Sequence, residues 1–330
     1  MKLKTLSIAM LGLTTTSMGA FADDPIVYGN AKLSINNYDL ESSSPNKDNW
    51  ELESNASRLG VKGKIKISDS LTAIYQLEYQ IYIDDGDSGS GKNNDTFEQR
   101  NIFAGLTGNF GTLKGGKFDT PTKSAQGKID RFNDLPLGDI GNIFEGENRQ
   151  SNIIEYTTPK MGNFSVSGAI VPGEDSGSGN DDGLADGVSM ALKYKTDNLY
   201  VALAGDSDID SRDTTRLVAE YKMGAAKLGF MYQDAELSDA SPSQKEDEDG
   251  YLLSGEFSIS KSVVLKAQYS YNEIEMLNSE DEKTQIAVGA DYKLSKAAKV
   301  FFYFSTIETD KDNGSDIDDS TFAIGYDLKF

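Results

Sequence analysis

Cysteine is absent from the sequence, so no disulfide framework holds the chain together and its stability must come from backbone pairing and burial. Histidine is absent too, which removes the usual metal ligand and the usual base near neutral pH. Ser–His–Asp, Cys–His and histidine-zinc sites are excluded by composition. Chemistry between carboxylates and lysines stays open. No apolar run is long enough for a membrane-crossing helix, and hydrophobic residues make up only 38% of the chain. Hydropathy alone therefore describes a soluble exported protein, unless the apolar residues alternate. Positive charge is also scarce: 32 Lys and Arg stand against 53 Asp and Glu. Such a surface repels phosphate backbones and makes nucleic acid a poor partner.

What is present begins with residues 1–22, "MKLKTLSIAMLGLTTTSMGAFA". Lys2 and Lys4 precede a short apolar stretch and the small-x-small ending Ala20-Phe21-Ala22, the pattern of a cleaved secretory signal. The apolar part is too short for a membrane span and is interrupted by Thr14-Thr15-Thr16. Removing this segment takes the net charge from −21 to −23 and leaves a domain over 23–330.

The apolar residues of that domain alternate repeatedly. Val27, Gly29, Ala31, Leu33 and Ile35 oppose Asn30, Lys32 and Ser34. Leu217, Ala219 and Tyr221 oppose Arg216, Glu220 and Lys222. The last residues set Phe322, Ile324, Tyr326, Leu328 and Phe330 against Thr321, Ala323, Gly325, Asp327 and Lys329. A half-buried soluble sheet also alternates, but here the punctuation alternates as well. Short turns such as 68–70, 108–111, 159–163 and 196–198 take turns with long polar stretches at 84–95, 173–187, 235–250 and 308–319. That rhythm predicts an up-and-down antiparallel sheet of about sixteen strands, each near the ~10 residues that a tilted membrane-spanning strand needs. A closed sheet leaves no edge, which lipid demands, and at this strand number its interior holds water. Aromatic residues near strand ends, among them Tyr28, Tyr38, Phe103, Tyr232, Tyr251 and Tyr326, predict girdles at the two interfaces. The first and last strands are expected to pair and close the cylinder.

Several stretches resemble the Gram-negative general porins: "VYGNAKLSI" (27–35), "SRLGVKG" (57–63), "QRNIFAGL" (99–106), "GKFDTP" (116–121), "DLPL" (134–137), "NRQSNIIEY" (148–156) and the C-terminal aromatic. The resemblance implies an all-β, sixteen-stranded antiparallel transmembrane barrel in the outer membrane, homotrimeric, with its third extracellular loop folded inward. The corresponding segment is 119–148, which carries Ile129, Phe132, Leu135, Pro136, Leu137, Ile140, Ile143 and Phe144 to pack against a wall. The resemblance further implies a charged constriction. Its basic side would comprise Arg58, Arg100, Arg149, Lys117 and Lys32, with Asp134, Asp139, Asp119, Asp130 and Glu145 facing them from the loop. The family often has an acidic residue after the loop proline; here Pro136 is followed by Leu137-Gly138-Asp139.

The expected function is passive diffusion of ions and small hydrophilic solutes, with a weak cation preference from acidic loops at the mouth. A substrate-selective channel for phosphate or oligosaccharide is the alternative. Lys62, Lys64 and Lys66 form a ladder that would suit phosphate, while few inward rings (Tyr82, Tyr200, Tyr303) are available for sugars. No enzyme activity and no cofactor are expected. Ca²⁺ or Mg²⁺ would find oxygen ligands at 179–187 and 245–250 and bridge them to lipopolysaccharide, though solvated loop charge is the simpler reading.

Overall fold

The computed structural model describes residues 24–43, 45–86, 96–173, 183–238 and 244–330. The expected signal, and most of the acidic stretches 84–95 and 173–187, lie outside the described residues.

Most of the described chain is strand. The first part contains β1 (Ile26–Leu40), β2 (Lys47–Ser54), β3 (Arg58–Lys66), β4 (Leu71–Ile81), β5 (Phe97–Gly108), β6 (Gly111–Asp119), β7 (Arg149–Thr157) and β8 (Phe164–Val171). The second contains β9 (Gly187–Lys195), β10 (Leu199–Ile209), β11 (Arg212–Met223), β12 (Ala226–Leu237) and β13 (Glu246–Ser258). It ends with β14 (Val263–Met276), β15 (Ser279–Lys293), β16 (Ala298–Lys311) and β17 (Ile317–Lys329). Strand β1 pairs with β2 through Leu33–Leu40 and with β3 through Ile26–Asn30. The two are therefore lengths of one stave, and the seventeen segments make sixteen antiparallel staves.

The sheet closes where β1 meets β17, from Asn30 opposite Lys329 to Leu40 opposite Asp319. Gly29 and Phe330 exchange both backbone hydrogen bonds, at 2.9 and 3.1 Å. The Phe330 ring lies over Gly29 so closely that a Cβ there would sit 2.7 Å from it. The terminal ring thus needs the glycine beneath it.

Alternation assigns the faces. Ile35, Leu217, Leu253, Phe304 and Ile324 are exposed on the outer surface, where an apolar row meets lipid. Ser34, Asn36, Gln268, Ser270 and Gln285 are buried on the inner one. Among the described residues no helix is long and apolar enough to cross a membrane; the crossing is made by strands.

Three expectations from the pattern need correction. Tyr28, Tyr38 and Phe103 are not girdle residues. Tyr28 and Tyr38 donate inside the barrel to Glu78 (2.9 Å) and Glu53 (2.5 Å), and the Phe103 ring packs edge-on against Phe118. The acidic stretch 245–250 is not a loop: β13 starts at Glu246, so the strands continue beyond the tyrosine row Tyr232–Tyr251–Tyr271. Two connections at the loop end, after Ile209 and after Met276, are as short as the turns at the other end. Polar composition marks where a strand leaves hydrocarbon, not where it stops.

The core is formed by the connection 120–148 lying inside the barrel. Ala125, Ile129, Ile140, Ile143 and Phe144 pack against Ala191, Ala202, Ala204, Val218, Met231 and Leu252. Phe132 and Leu135 pack against Ala287, Phe301, Tyr303 and Ala323. The wall over β9–β17 thus meets the segment with apolar residues, several of them alanines.

Candidate functional site

The connection starts with a helix α1 (Pro121–Ala125) capped by Thr120, whose hydroxyl accepts from the Lys123 N–H. Proline opens the helix, where its missing N–H costs nothing. A 3₁₀ turn at Ile140–Asn142 is capped by Asp139.

Inward-facing polar side chains hold the segment by its backbone carbonyls. Gln268 donates to Gly138 O (3.0 Å), Gln285 to Leu137 O (2.8 Å) and Ser305 to the same oxygen (2.7 Å). Asn272 donates to Ile143 O (2.8 Å) and Tyr303 to Pro136 O (3.1 Å). Tyr200 donates to Ala125 O at 2.8 Å. The inward tyrosines Tyr200 and Tyr303 are thus fasteners for the segment. Arg216 is fully buried and does most: it donates to Gln233 (2.7 Å), Glu145 O (3.0 Å) and the Glu147 carboxylate (2.7 Å).

Opposite this fastened face the strands are irregular. Between β2 and β3 the chain breaks at Asn55-Ala56-Ser57, with Ala56 at φ +51°. The Ser57 hydroxyl replaces ladder bonds, accepting from Lys32 N (2.9 Å) and donating to Lys32 O (3.1 Å). Arg58 follows this break. Between β4 and β5 the register shifts, so that Arg100 and Asn101 together oppose Glu78. Such a bulge turns two consecutive side chains to one face. Arg100 reaches Glu78 (3.3 Å) and Gln80 (2.8 Å), while Asn101 binds Asp119 (3.1 Å). A second shift between β6 and β7 precedes the pairing of Asp119 with Arg149.

These residues converge on a cavity of about 300 Å³. Arg58, Arg100, Arg149 and Lys123 line it against Asp119, Asp134, Asp139 and Glu147. Arg58 bonds the Asp134 carboxylate at 2.6 Å, and Arg100 stands 4.0 Å from it. Arg149 bonds Asp119 at 2.8 Å. Lys32 grips the same loop tip from behind, donating to Asn133 O (2.8 Å) and Asp134 O (3.3 Å).

The remaining residues singled out in the sequence fall elsewhere. Asp139 accepts from Asn133, from the Asp134 N–H (2.7 Å) and from the Gly141 N–H (2.8 Å), so it shapes the tip as well as lining the cavity. Asp130 accepts from the Phe132 and Ile140 N–H groups, stapling two turns together. Glu145 is held through its backbone, its N–H donating to Glu248 and its carbonyl accepting from Arg216 and Gln233. Lys117 is not brought to the aperture. It opposes Ile102 and alternates with Gly116 and Phe118, and Phe118 packs inside with Ile153 and Ala169. Its side chain therefore starts on the outer face.

Burial works to raise the Asp134 pKa, but Arg58, Lys32 and Arg100 outweigh it and hold the carboxyl below its usual range. Burial, reinforced by Asp139, pushes Asp130 well above that range. Pattern reading missed Glu147, Lys123 and Glu78 as members of this network. The inward placement of Arg216 was visible in its polar row, though not its task. Among the described residues no three carboxylates stand together as a metal site. The acids of 245–250 are engaged: Lys245 binds Asp247 (3.3 Å), and Arg212 binds Glu246 and Glu248. Of the stretch 179–187, residues 179–182 lie outside the described residues, and Asp186 accepts from the Gly183 N–H at 3.1 Å.

The comparisons with known proteins agree with the barrel fold. The family model for Gram-negative porins matches residues 7–326. The chain belongs to the Gram-negative porin family. The major outer membrane protein P.IB of Neisseria lactamica is 22% identical over 351 residues, covering 98% of this chain and 99% of that protein. Outer membrane porin protein 32 of Delftia acidovorans is 27% identical over 262 residues, or 74% of this chain and 72% of its own. Among solved structures, the anion-selective porin from Comamonas acidovorans superposes with a TM-score of 0.72 at 19% identity, covering 94% of this chain and all of that one. This porin is an outer-membrane β-barrel channel protein; its membership gives no indication of an enzyme.

Proposed function

We propose that this porin passes ions and small hydrophilic solutes by passive diffusion through an aperture whose basic wall faces an acidic loop. The observation that supports this is the lining of the 300 Å³ cavity, in which four cationic and four anionic side chains face one another. Arginine suits the wall because its charge persists at any working pH and its planar fork holds a fixed geometry. Fixed opposite charges across a narrow passage create a transverse field that orients dipolar solutes and separates the tracks of cations and anions.

A weak cation preference fits the outer rim. Asp234, Asp249, Glu273, Glu282 and Asp310 stand in one cross-strand register over β12–β16. Like charges placed directly opposite repel, and this row, which shares the outward face of Tyr232 and Tyr251, adds negative potential around the outer end of the barrel within a Debye length of ~8 Å at physiological salt. The reversal potential of purified protein in a KCl gradient tests this: a modest cation preference is expected, and a clear anion preference would reject it. Selective uptake of sugars is not favoured, because Tyr200 and Tyr303 are committed to holding the inner segment. The family reading also supports a homotrimer in outer-membrane lipid and lipopolysaccharide, which cross-linking in native membranes would test.

A further inference from the structure

The aperture balances its charges; a second cavity in the lumen does not. This one, of about 450 Å³, lies between residues 124–128 of the inner segment, the short turn 160–163 and the wall at β8–β11. Lys128, Lys160, Lys193 and Lys195 line it, and Glu220 is its one carboxylate. Glu220 is already engaged by Arg131 at 2.8 Å. Glu155, farther along the wall, is held by Lys114 at 3.5 Å. None of the four lysine ammonium groups makes a hydrogen bond or ion pair with another described residue.

Three separate elements bring these lysines together. Lys193 and Lys195 take inward positions at the end of β9, alternating with outward Leu192 and Tyr194. Lys160 belongs to the short turn closed by the Met161–Phe164 bridge. Lys128 follows Gly127, whose positive φ of +65° turns the segment past the Tyr200 ring. A concave, low-dielectric wall carrying one sign of charge focuses its field and raises the local concentration of counter-ions. Lysine is a compact point charge that suits phosphate-type oxygens without demanding a planar partner. We propose that this cavity is a binding station for small polyanions at the turn end of the lumen, taking compact groups with two or more negative charges. It rests on the channel reading for access, while its chemistry is separate from the aperture and opposite in sign to the acidic mouth.

The probe is inorganic pyrophosphate, titrated against detergent-solubilised protein by ³¹P line broadening in low salt, with the triple variant Lys160→Gln, Lys193→Gln, Lys195→Gln alongside. Saturable binding by the wild type, weakened on the order of tenfold or more in the variant, is expected from losing three nearby unit charges. The variant's KCl conductance in 1 M salt, where screening shrinks to ~3 Å, should match wild type and shows that the barrel is intact. Equal binding by both proteins, or none by a conducting wild type, would overturn the station while leaving the channel standing. Binding by a protein that does not conduct would sink the channel reading and leave the station.

Discussion

The two sides of the barrel that face each other across the inner segment are built on opposite plans. Over β9–β17 the strands run in regular register apart from a shift near Asp206–Ile209 at the tip of β10. Where the segment covers this wall, the inward residues are small ones such as Ala202 and Ala204, amides such as Gln268 and Gln285, and the fasteners Arg216, Tyr200 and Tyr303. Over β2–β7 the wall is broken at 55–57 and shifted twice, and its inward positions carry Arg58, Arg100 and Arg149. Regularity serves as a bed; irregularity aims charge. A bulge costs ladder hydrogen bonds but re-aims a side chain, and here each irregularity lies beside an aperture arginine.

The comparison breaks most severely at Arg216, which ties the bed to both ends of the segment. Arg216→Ala leaves Glu147 buried without its main partner, a change worth about 3–5 kcal/mol. It should lower the thermal midpoint and make single-channel current noisy; a quiet channel of wild-type stability would show that the segment is held otherwise. Next comes the bed itself. A Cβ at Gly229 would lie 2.9 Å from Ile129 Cγ2, so Gly229→Val overpacks the contact at about 1–3 kcal/mol. Denaturant or heat titration should register that loss, with β-content by circular dichroism unchanged.

On the irregular side the expected effects fall on ions more than on folding. Arg100→Ala removes a unit charge that is worth about 1 kcal/mol to an ion passing at 4 Å in water. The cation-to-anion permeability ratio should rise several-fold, and no rise would remove Arg100 from the selectivity apparatus. Acidification sharpens the same point through Asp134. Its folded pKa lies below the unfolded value, so its stabilisation is present above about pH 3.9 and is lost as pH falls through the lower folded value. The stability gap between wild type and Asp134→Asn should therefore close at the acid end of that window. The smallest effect belongs to Lys117→Leu on the outer face. Selectivity should not move, and stability should change by about 0–1 kcal/mol, as for charge near a membrane interface.

Much of the fold was legible because alternation is a two-state signal carried by whole rows. Ile35, Leu217 and Ile324 announce the lipid face, and Ser34, Arg216 and Ala323 the inner one, without tertiary information. The site was less legible for a physical reason. A bulge shifts parity by one residue, and nothing in "QRNIFAGL" announces that Arg100 and Asn101 share a face. Lys117 was placed by resemblance, whereas the alternation of β6 turns it to the face opposite Phe118. Glu147 and Lys123 stayed hidden because a connection without period offers no face to read; the apolar series from Ile129 to Phe144 showed that the segment packs, but not which polar atoms would meet.

The seam between β1 and β17 joins residues as far apart as Asn30 and Lys329, whereas the other pairings join chain neighbours. Most of the ladder can therefore zip locally at little entropic expense, and one long-range step remains. Until that step both margins of the growing sheet are raw edges, which hydrocarbon does not tolerate. A chain lacking its final strand would keep fifteen staves' worth of local pairing and still have nowhere to rest in a bilayer, so completion of this protein is decided at a single junction.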